Sequence, residues 1–311
     1  MSAFPSPTKT YHTTSYDAIS PSLPALSQKG KNVIITGGGA GIGKATALSF
    51  AKASVTNLAL VGRRLQPLED LKSTITSSYP EVSVHVYSAD IADEAALKDA
   101  FASFAKQING PIHTLVANAG MSPGFLPVME VTTEDLMASL NANTIGTLNT
   151  VKAFIPHIPT EADETGFRAK IIHTSTGAAQ VEMPLNTVYS LGKAAGAKLL
   201  QHVALEHPDI FVLNYHPGII ETEMIERERN KSGYDLNPKD DISLPADWTV
   251  WAASPESLFL GSGRFIWVHW DVNELKEIFA KYKSGEEKDG IEIMGGLPIH
   301  RNFALGLVGW I

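Results

Sequence analysis

Two hydrophobic rhythms alternate along the chain. Short apolar runs rich in β-branched residues and closed by glycine or polar turns are separated by stretches in which apolar positions recur every three or four residues. "KNVIIT" (31–36) stops at glycines, and "GIGKATALSFAKA" (41–53) then reads as a helix. "NLALVGRR" (57–64), "VSVHVYSAD" (82–90) and "HTLVANAG" (113–120) are the next strands, with helices at 66–79 and about 93–107 between them. A helix near 134–155 leads to the strand "KIIHTS" (170–175). "TVYSLGKAAGAKLL" (187–200) opens another helix, and "IFVLNYHPG" (210–218) is a further strand. Strands that alternate with helices predict βαβ units with right-handed crossovers, hence a doubly wound parallel α/β sheet covered on both faces.

Outside that rhythm the pattern weakens. Residues 1–29 carry Pro5, Pro7, Pro21 and Pro24 and no apolar segment of signal-peptide type, so they read as an irregular arm. Residues 159–170 form a polar surface loop. Residues 219–247, with "ERERNKSGYDLNPKDD" in the middle, are charged and irregular and suit a mobile lid. The parse is an arm at 1–29, a single domain at 30–270 with its lid segment, and a C-terminal extension at 271–311.

Composition narrows the chemistry. A net charge of −8 without a basic stripe argues against nucleic acid. The longest terminal apolar run, "FALGLVGWI" (303–311), is about half of what a bilayer span needs, so no membrane partner is expected. There is no cysteine, so disulfides, thiolate nucleophiles and cysteine-bound metals are excluded, and a reducing, cytoplasmic setting is expected. The ten histidines show no metal-ligand spacing, and no metal is expected.

The first strand runs into "TGGGAGIG" (36–43), which lacks GxGxxG spacing but gives TGxxxGxG through Thr36, Gly37, Gly41 and Gly43. Glycines let the backbone turn tightly against a pyrophosphate, and the next helix presents its N-terminal amides to that anion. At the end of the second strand, an acidic residue would bind the ribose hydroxyls of NAD. Gly62 stands there, followed by Arg63 and Arg64, whose guanidinium groups match a 2′-phosphate and point to NADP(H). Tyr189 and Lys193 lie at i and i+4, so a helix would stack phenol and ammonium on one face.

Taken in order, these motifs resemble the short-chain dehydrogenase/reductase family over roughly residues 30–270. The resemblance adds Asp90 with Ile91 as an adenine contact, "ANAG" (117–120), Asn143, "HTSTGAA" (173–179) and "PGIIET" (217–222). It implies a Rossmann fold and NADP(H) held by Gly37, Gly39, Gly41, Ile42, Gly43, Arg63, Arg64, Asp90, Ile91, Asn118, Ala119, Gly120, Tyr189, Lys193, Pro217, Gly218, Ile220 and Thr222. It also implies that hydride transfer is paired with proton transfer by Tyr189. Lys193 would lower the phenol's pKa, Asn143 would position a water leading to Lys193, and Thr222 would meet the nicotinamide carboxamide. Two departures from the family pattern stand out. Ala117 precedes Asn118 where a second asparagine is frequent. The family serine usually lies thirteen residues before the tyrosine, and 189 − 176 = 13 points to Thr176, with Ser175 the alternative.

The implied partner is a small carbonyl or alcohol substrate in a mostly apolar pocket near Met121, Phe125, Val181, Met183 and Leu185. The small residues Ala194–Ala197 of the tyrosine helix resemble the family's dimerising helix and imply a homodimer or homotetramer. The arm and "SGRFIWVHWDVNEL" (262–275) resemble fungal members. Two rival readings are a non-redox isomerase or cyclase and a silent cofactor-sensing module. The joint presence of Asn143, Tyr189 and Lys193 argues against the silent module.

Overall fold

In the computed structural model, residues 6–233 and 240–284 are described. Their strands are β1 (Asn32–Thr36), β2 (Asn57–Gly62), β3 (Ser83–Ser88), β4 (Thr114–Ala117), β5 (Ala169–Thr174), β6 (Ile210–His216) and β7 (Arg264–Trp267). They form one parallel sheet of seven strands in the order β3-β2-β1-β4-β5-β6-β7. Successive side chains face opposite ways. Val33, Ile35, Leu58 and Leu60 therefore enter the core on one face, and Ile34, Ala59 and Val61 enter the core on the other.

The first face is covered by α1 (Gly41–Lys52), α2 (Leu65–Ser78), α8 (Ser243–Ala253) and α9 (Val272–Ser284), with Phe50, Leu68, Trp248 and Phe279 packed inward. α3 (Glu94–Gln107), α5 (Gly146–Phe154) and part of α6 (Thr187–Glu206) cover the second through Phe101, Phe154 and Leu200. The strand order reverses between β1 and β4. In such sheets that point leaves a crevice beyond the carboxyl ends of the strands, where ligands bind.

Four segments depart from the sequence pattern. The helix expected at 134–155 is α4 (Thr133–Leu140), a wider π turn over Asn141–Ile145, and α5. The stretch expected to be irregular at 219–247 contains α7 (Glu223–Ser232) and the start of α8, while residues 234–239 lie outside the described residues. β7 and α9 add a strand and a helix that the pattern did not predict; residues 285–311 of the C-terminal extension are likewise outside the described residues. The N-terminal arm is fastened to the domain. His12 N donates to His269 O at 2.8 Å, Asp241 N to Thr13 O at 2.7 Å and Val272 N to the Tyr16 hydroxyl at 3.0 Å, while Ile19 and Leu26 are fully buried.

Candidate active site

The turn after β1 is built around glycine. Gly37 and Gly41 have φ of 70° and 50°, and a Cβ on Gly43 would lie 2.2 Å from Gly37 O. Thr36 Oγ1 accepts from Asn118 N at 3.1 Å and Ala119 N at 3.2 Å, and Asn118 Nδ2 donates to Thr36 O at 3.1 Å. Asn118 therefore braces the glycine turn from the end of β4. Gly39 backs onto Pro67 and Leu68 of α2, whereas Gly41 faces Thr222. The cap position of α1 is Ala40, whose side chain cannot accept a hydrogen bond, so the first amides of that helix keep their capacity to bind an anion.

At the other end of the groove, β2 ends at Gly62, and Arg64, still extended in backbone, is the cap residue before α2. Arg63 Nη1 lies 3.9 Å from Asp90 Oδ2, and Arg64 Nη2 donates to Glu223 Oε2 of α7 at 3.1 Å. Arg64 is thus tied to α7 through Glu223, the residue after Thr222. Both guanidinium groups stay more than half exposed. Asp90 Oδ1 accepts from Ala92 N at 3.0 Å, and buried Ile91 packs beside Gly146.

α6 brings Tyr189 to the wall of a cavity of about 130 Å³. One helical turn on, Lys193 is buried and its Nζ donates to Thr174 O at 2.8 Å, lying 5.9 Å from the centre of the Tyr189 ring. Burial lowers the Lys193 pKa to about 8 and raises that of Tyr189 above the ordinary tyrosine value. The expected lowering of the tyrosine by the lysine is therefore absent in the protein alone. The ammonium is turned onto a strand carbonyl, and desolvation of the phenolate dominates.

Gly120 leaves room for this arrangement, since a Cβ there would meet Asn143 Oδ1 at 2.7 Å and Lys193 Nζ at 3.0 Å. The Asn143 side chain is occupied: Nδ2 donates to Met121 O at 2.8 Å and Ser139 Oγ at 3.1 Å, while Oδ1 accepts from Met121 N. Gly192 of α6 presses on the end of α4 and Gly196 on the π turn, where added Cβ atoms would lie 2.4 Å from Ser139 Oγ and 2.5 Å from Asn143 O. The small-residue face expected to receive a second chain is used at Gly196 within this one.

Ser175 and Thr176 both line the cavity but differ in exposure. Ser175 Oγ is shut away without a hydrogen-bond partner among the described residues, whereas Thr176 is partly open and its Oγ1 accepts from Ala178 N at 3.3 Å. Beyond β6, Gly218 has φ of 91° and abuts Asp240, whose Oδ2 accepts from Ile219 N at 2.7 Å and lies 3.0 Å from His269 Nε2. Tyr11 of the arm stacks on His269 at 4.5 Å. This brace on the 217–220 segment involves Asp240 and His269, which no sequence motif marked. Ile220 is buried, and Thr222 caps α7 by accepting from Ile225 N at 3.3 Å.

Of the expected pocket residues, Phe125, Val181 and Met183 line the cavity, and Met121 and Leu185 do not. The wall also includes Ile42, His216, Pro217, Gly218, Ile220, Thr222 and Trp267, with Met224, Ile225 and Glu228 from α7. His216 is neutral there: its Nδ1 accepts from Gly177 N at 2.9 Å, and burial holds its pKa well below the ordinary histidine value.

A family profile described as "short chain dehydrogenase" matches residues 31–233. The chain belongs to the short-chain dehydrogenase/reductase family. It is 34% identical over 281 residues to a short chain dehydrogenase/reductase of Claviceps purpurea (strain 20.1), covering 88% of this chain and 89% of the relative. Among solved structures, a short chain dehydrogenase from Burkholderia cenocepacia J2315 in complex with NADP superposes with a TM-score of 0.66 at 23% identity, covering 79% of this chain and 99% of that one. A 3-oxoacyl-[acyl-carrier protein] reductase with bound NAD from Brucella melitensis has a TM-score of 0.66 at 25% identity, covering 83% and 97%. A nicotinamide cofactor is typical of this family of oxidoreductases. The positive-φ glycines, the close approach of Gly43 to Gly37 and the uncapped start of α1 fit the pyrophosphate of such a cofactor. No helix among the described residues is long and apolar enough to cross a membrane.

Proposed function

We propose that this short-chain dehydrogenase/reductase is an NADP(H)-dependent enzyme that interconverts a carbonyl and an alcohol on a small, largely hydrophobic substrate. One observation carries the reading: Tyr189 and Thr176 meet at a single, mostly apolar cavity whose wall includes Ile42 of the glycine turn. When bound, the nicotinamide supplies or accepts hydride. Tyr189 gives its proton to the substrate oxygen in the reducing direction and takes it back in the oxidising one. The raised pKa keeps the phenol protonated at neutral pH, ready as a donor. Thr176 offers a hydroxyl to align the same oxygen. Lys193, charged below about pH 8, supplies positive charge one turn from the phenol. Asn143 and Gly120 fix the backbone against which that lysine sits.

Cofactor choice rests on the end of β2. No carboxylate stands at Gly62, and Arg63 and Arg64 give a 2′-phosphate two cations in reach of the groove. A guanidinium–phosphate contact is worth roughly 1.5 to 3 kcal/mol net, or about tenfold to over a hundredfold. NADPH is therefore expected to bind at least about tenfold more tightly than NADH, and Arg63→Ala to cut that ratio. Equal affinities in the wild type would overturn the NADP(H) assignment. Exposed Met137 on α4, Ile145 on the π turn and Leu191 on α6 support a homo-oligomer that covers them. The experiment for the reaction itself is NADPH absorbance across a panel of ketones: steady consumption is expected, and none across a broad panel would favour a non-redox role.

A further inference from the structure

The least expected residue in the cavity wall is a carboxylate. Glu228 is 2% exposed and lines the same cavity as Tyr189, on the face of α7 that also carries Met224 and Ile225. These positions, i, i+1 and i+4, form one side of the helix. Its two oxygens differ. Oε1 accepts from Arg227 Nε at 3.1 Å and Nη2 at 3.0 Å, while Oε2 is buried with no hydrogen-bond partner among the described residues. Arg227 itself is mostly exposed and reaches back to Ser122 O at 3.4 Å. The solvent side of the carboxylate is thus neutralised and hydrogen-bonded, and the remaining oxygen is closed off in a mostly apolar wall that also carries Thr176, Asn186, Tyr189 and His216.

A buried carboxylate oxygen without a donor is costly, so its retention at a pocket wall points to a donor that arrives with the ligand. We propose that Glu228 is a specificity-determining residue that accepts a hydrogen bond from a hydroxyl on the substrate, so that the favoured substrates are hydroxylated carbonyl compounds. Two features select a neutral hydroxyl over an ammonium. The charge of Glu228 is already balanced by Arg227, and the other α7 side chains in the wall, Met224 and Ile225, offer a cation no further counter-charge.

This inference rests on reading the cavity as the substrate site. Its test therefore uses binding, measured apart from turnover. The probes are 3′-hydroxyacetophenone, 4′-hydroxyacetophenone and their methoxy counterparts, which keep ring and carbonyl but lose the donor. Binding is followed by calorimetry and by quenching of Trp267, which shares the cavity wall. In the wild-type protein with NADP+ present, at least one hydroxylated probe is expected to bind about tenfold or more tightly than its methoxy partner. Glu228→Leu should abolish that preference while leaving methoxy affinity nearly unchanged. Glu228→Gln, which keeps the shape and one acceptor oxygen, should retain part of it and guards against misfolding of the leucine variant. Equal affinities for each pair in the wild type, or a preference that survives in both variants, would overturn the proposal. The two readings separate cleanly. A hydroxyl preference without NADPH consumption supports Glu228 and sinks the reductase. Consumption without the preference does the reverse.

Discussion

A phenol in a dry wall and an ammonium turned onto a strand carbonyl define the resting chemistry of this site. Tyr189 holds its proton because a phenolate there would be desolvated, and Lys193 remains charged only up to about pH 8 because its ammonium is desolvated as well. The neighbouring hydroxyls divide by accessibility. Thr176 is the one that spacing selected, and it is partly open to the cavity, whereas Ser175 Oγ is sealed. Thr176→Val is isosteric and removes only the hydroxyl, so it should lower kcat by about 10²-fold or more, while Ser175→Ala should change kcat little. The reverse ranking in steady-state kinetics would move the aligning role to Ser175.

At the scale of elements, the arm supports the loop that leads from β6 into α7. The arm bridges through Tyr11 to His269, and Asp240 beside it carries Ile219 N, so an apparently remote segment supports the loop after β6. Fully buried Ile19, with Leu26, anchors the arm in the core of the first face. Ile19→Ala should cost roughly 2 to 5 kcal/mol in urea unfolding, as for a core residue. A cost near zero would mean that the arm is an independent tail.

The strands from β1 to β6 and their helices were legible because β-branched runs end at glycines and because the period switches cleanly. α7 was not. Its inward face reads Met224, Ile225, Glu228, so a buried carboxylate breaks the apolar period just where the cavity needs it. The π turn was also hidden, since 134–155 is continuously helical in pattern, while the partners packed against that stretch, Gly192 and Gly196, come from a helix distant in sequence. β7 is only four residues long, too short to carry a period. In the site, the motif residues were found, but what several of them touch was not. Asn118 and Asn143 spend their side chains on backbone, and Arg64 meets Glu223.

For the whole molecule, buried bases and phenols set the pH range of stability. His113 and His173 have folded pKa values of about 4 and about 3, lowered mainly by burial, against about 6.5 unfolded. Between those values the unfolded chain binds more protons, so stability must fall as pH drops below about 6.5. Lys170, buried with Nζ on Ser254 O at 2.6 Å, titrates near about 7. It adds stability as pH rises from about 7 toward the unfolded value near 10.4. Raised tyrosines such as Tyr87, at about 12, reverse the trend above about pH 10, where the unfolded phenol ionises first. The urea midpoint should therefore be lower at pH 5 than at pH 7 and no lower at pH 9; a midpoint that is highest at pH 5 would contradict this.

The function proposed here turns on proton transfer by Tyr189 at the cavity wall. It is tested most directly by a single-turnover measurement of NADPH oxidation with a reactive ketone, in the wild type and in Tyr189→Phe, with cofactor affinity measured on the same samples. Unchanged NADPH affinity and a rate at least about 10²-fold lower are expected in the variant, since only the proton donor is lost. A folded Tyr189→Phe protein that oxidises NADPH at a near-normal rate would contradict it.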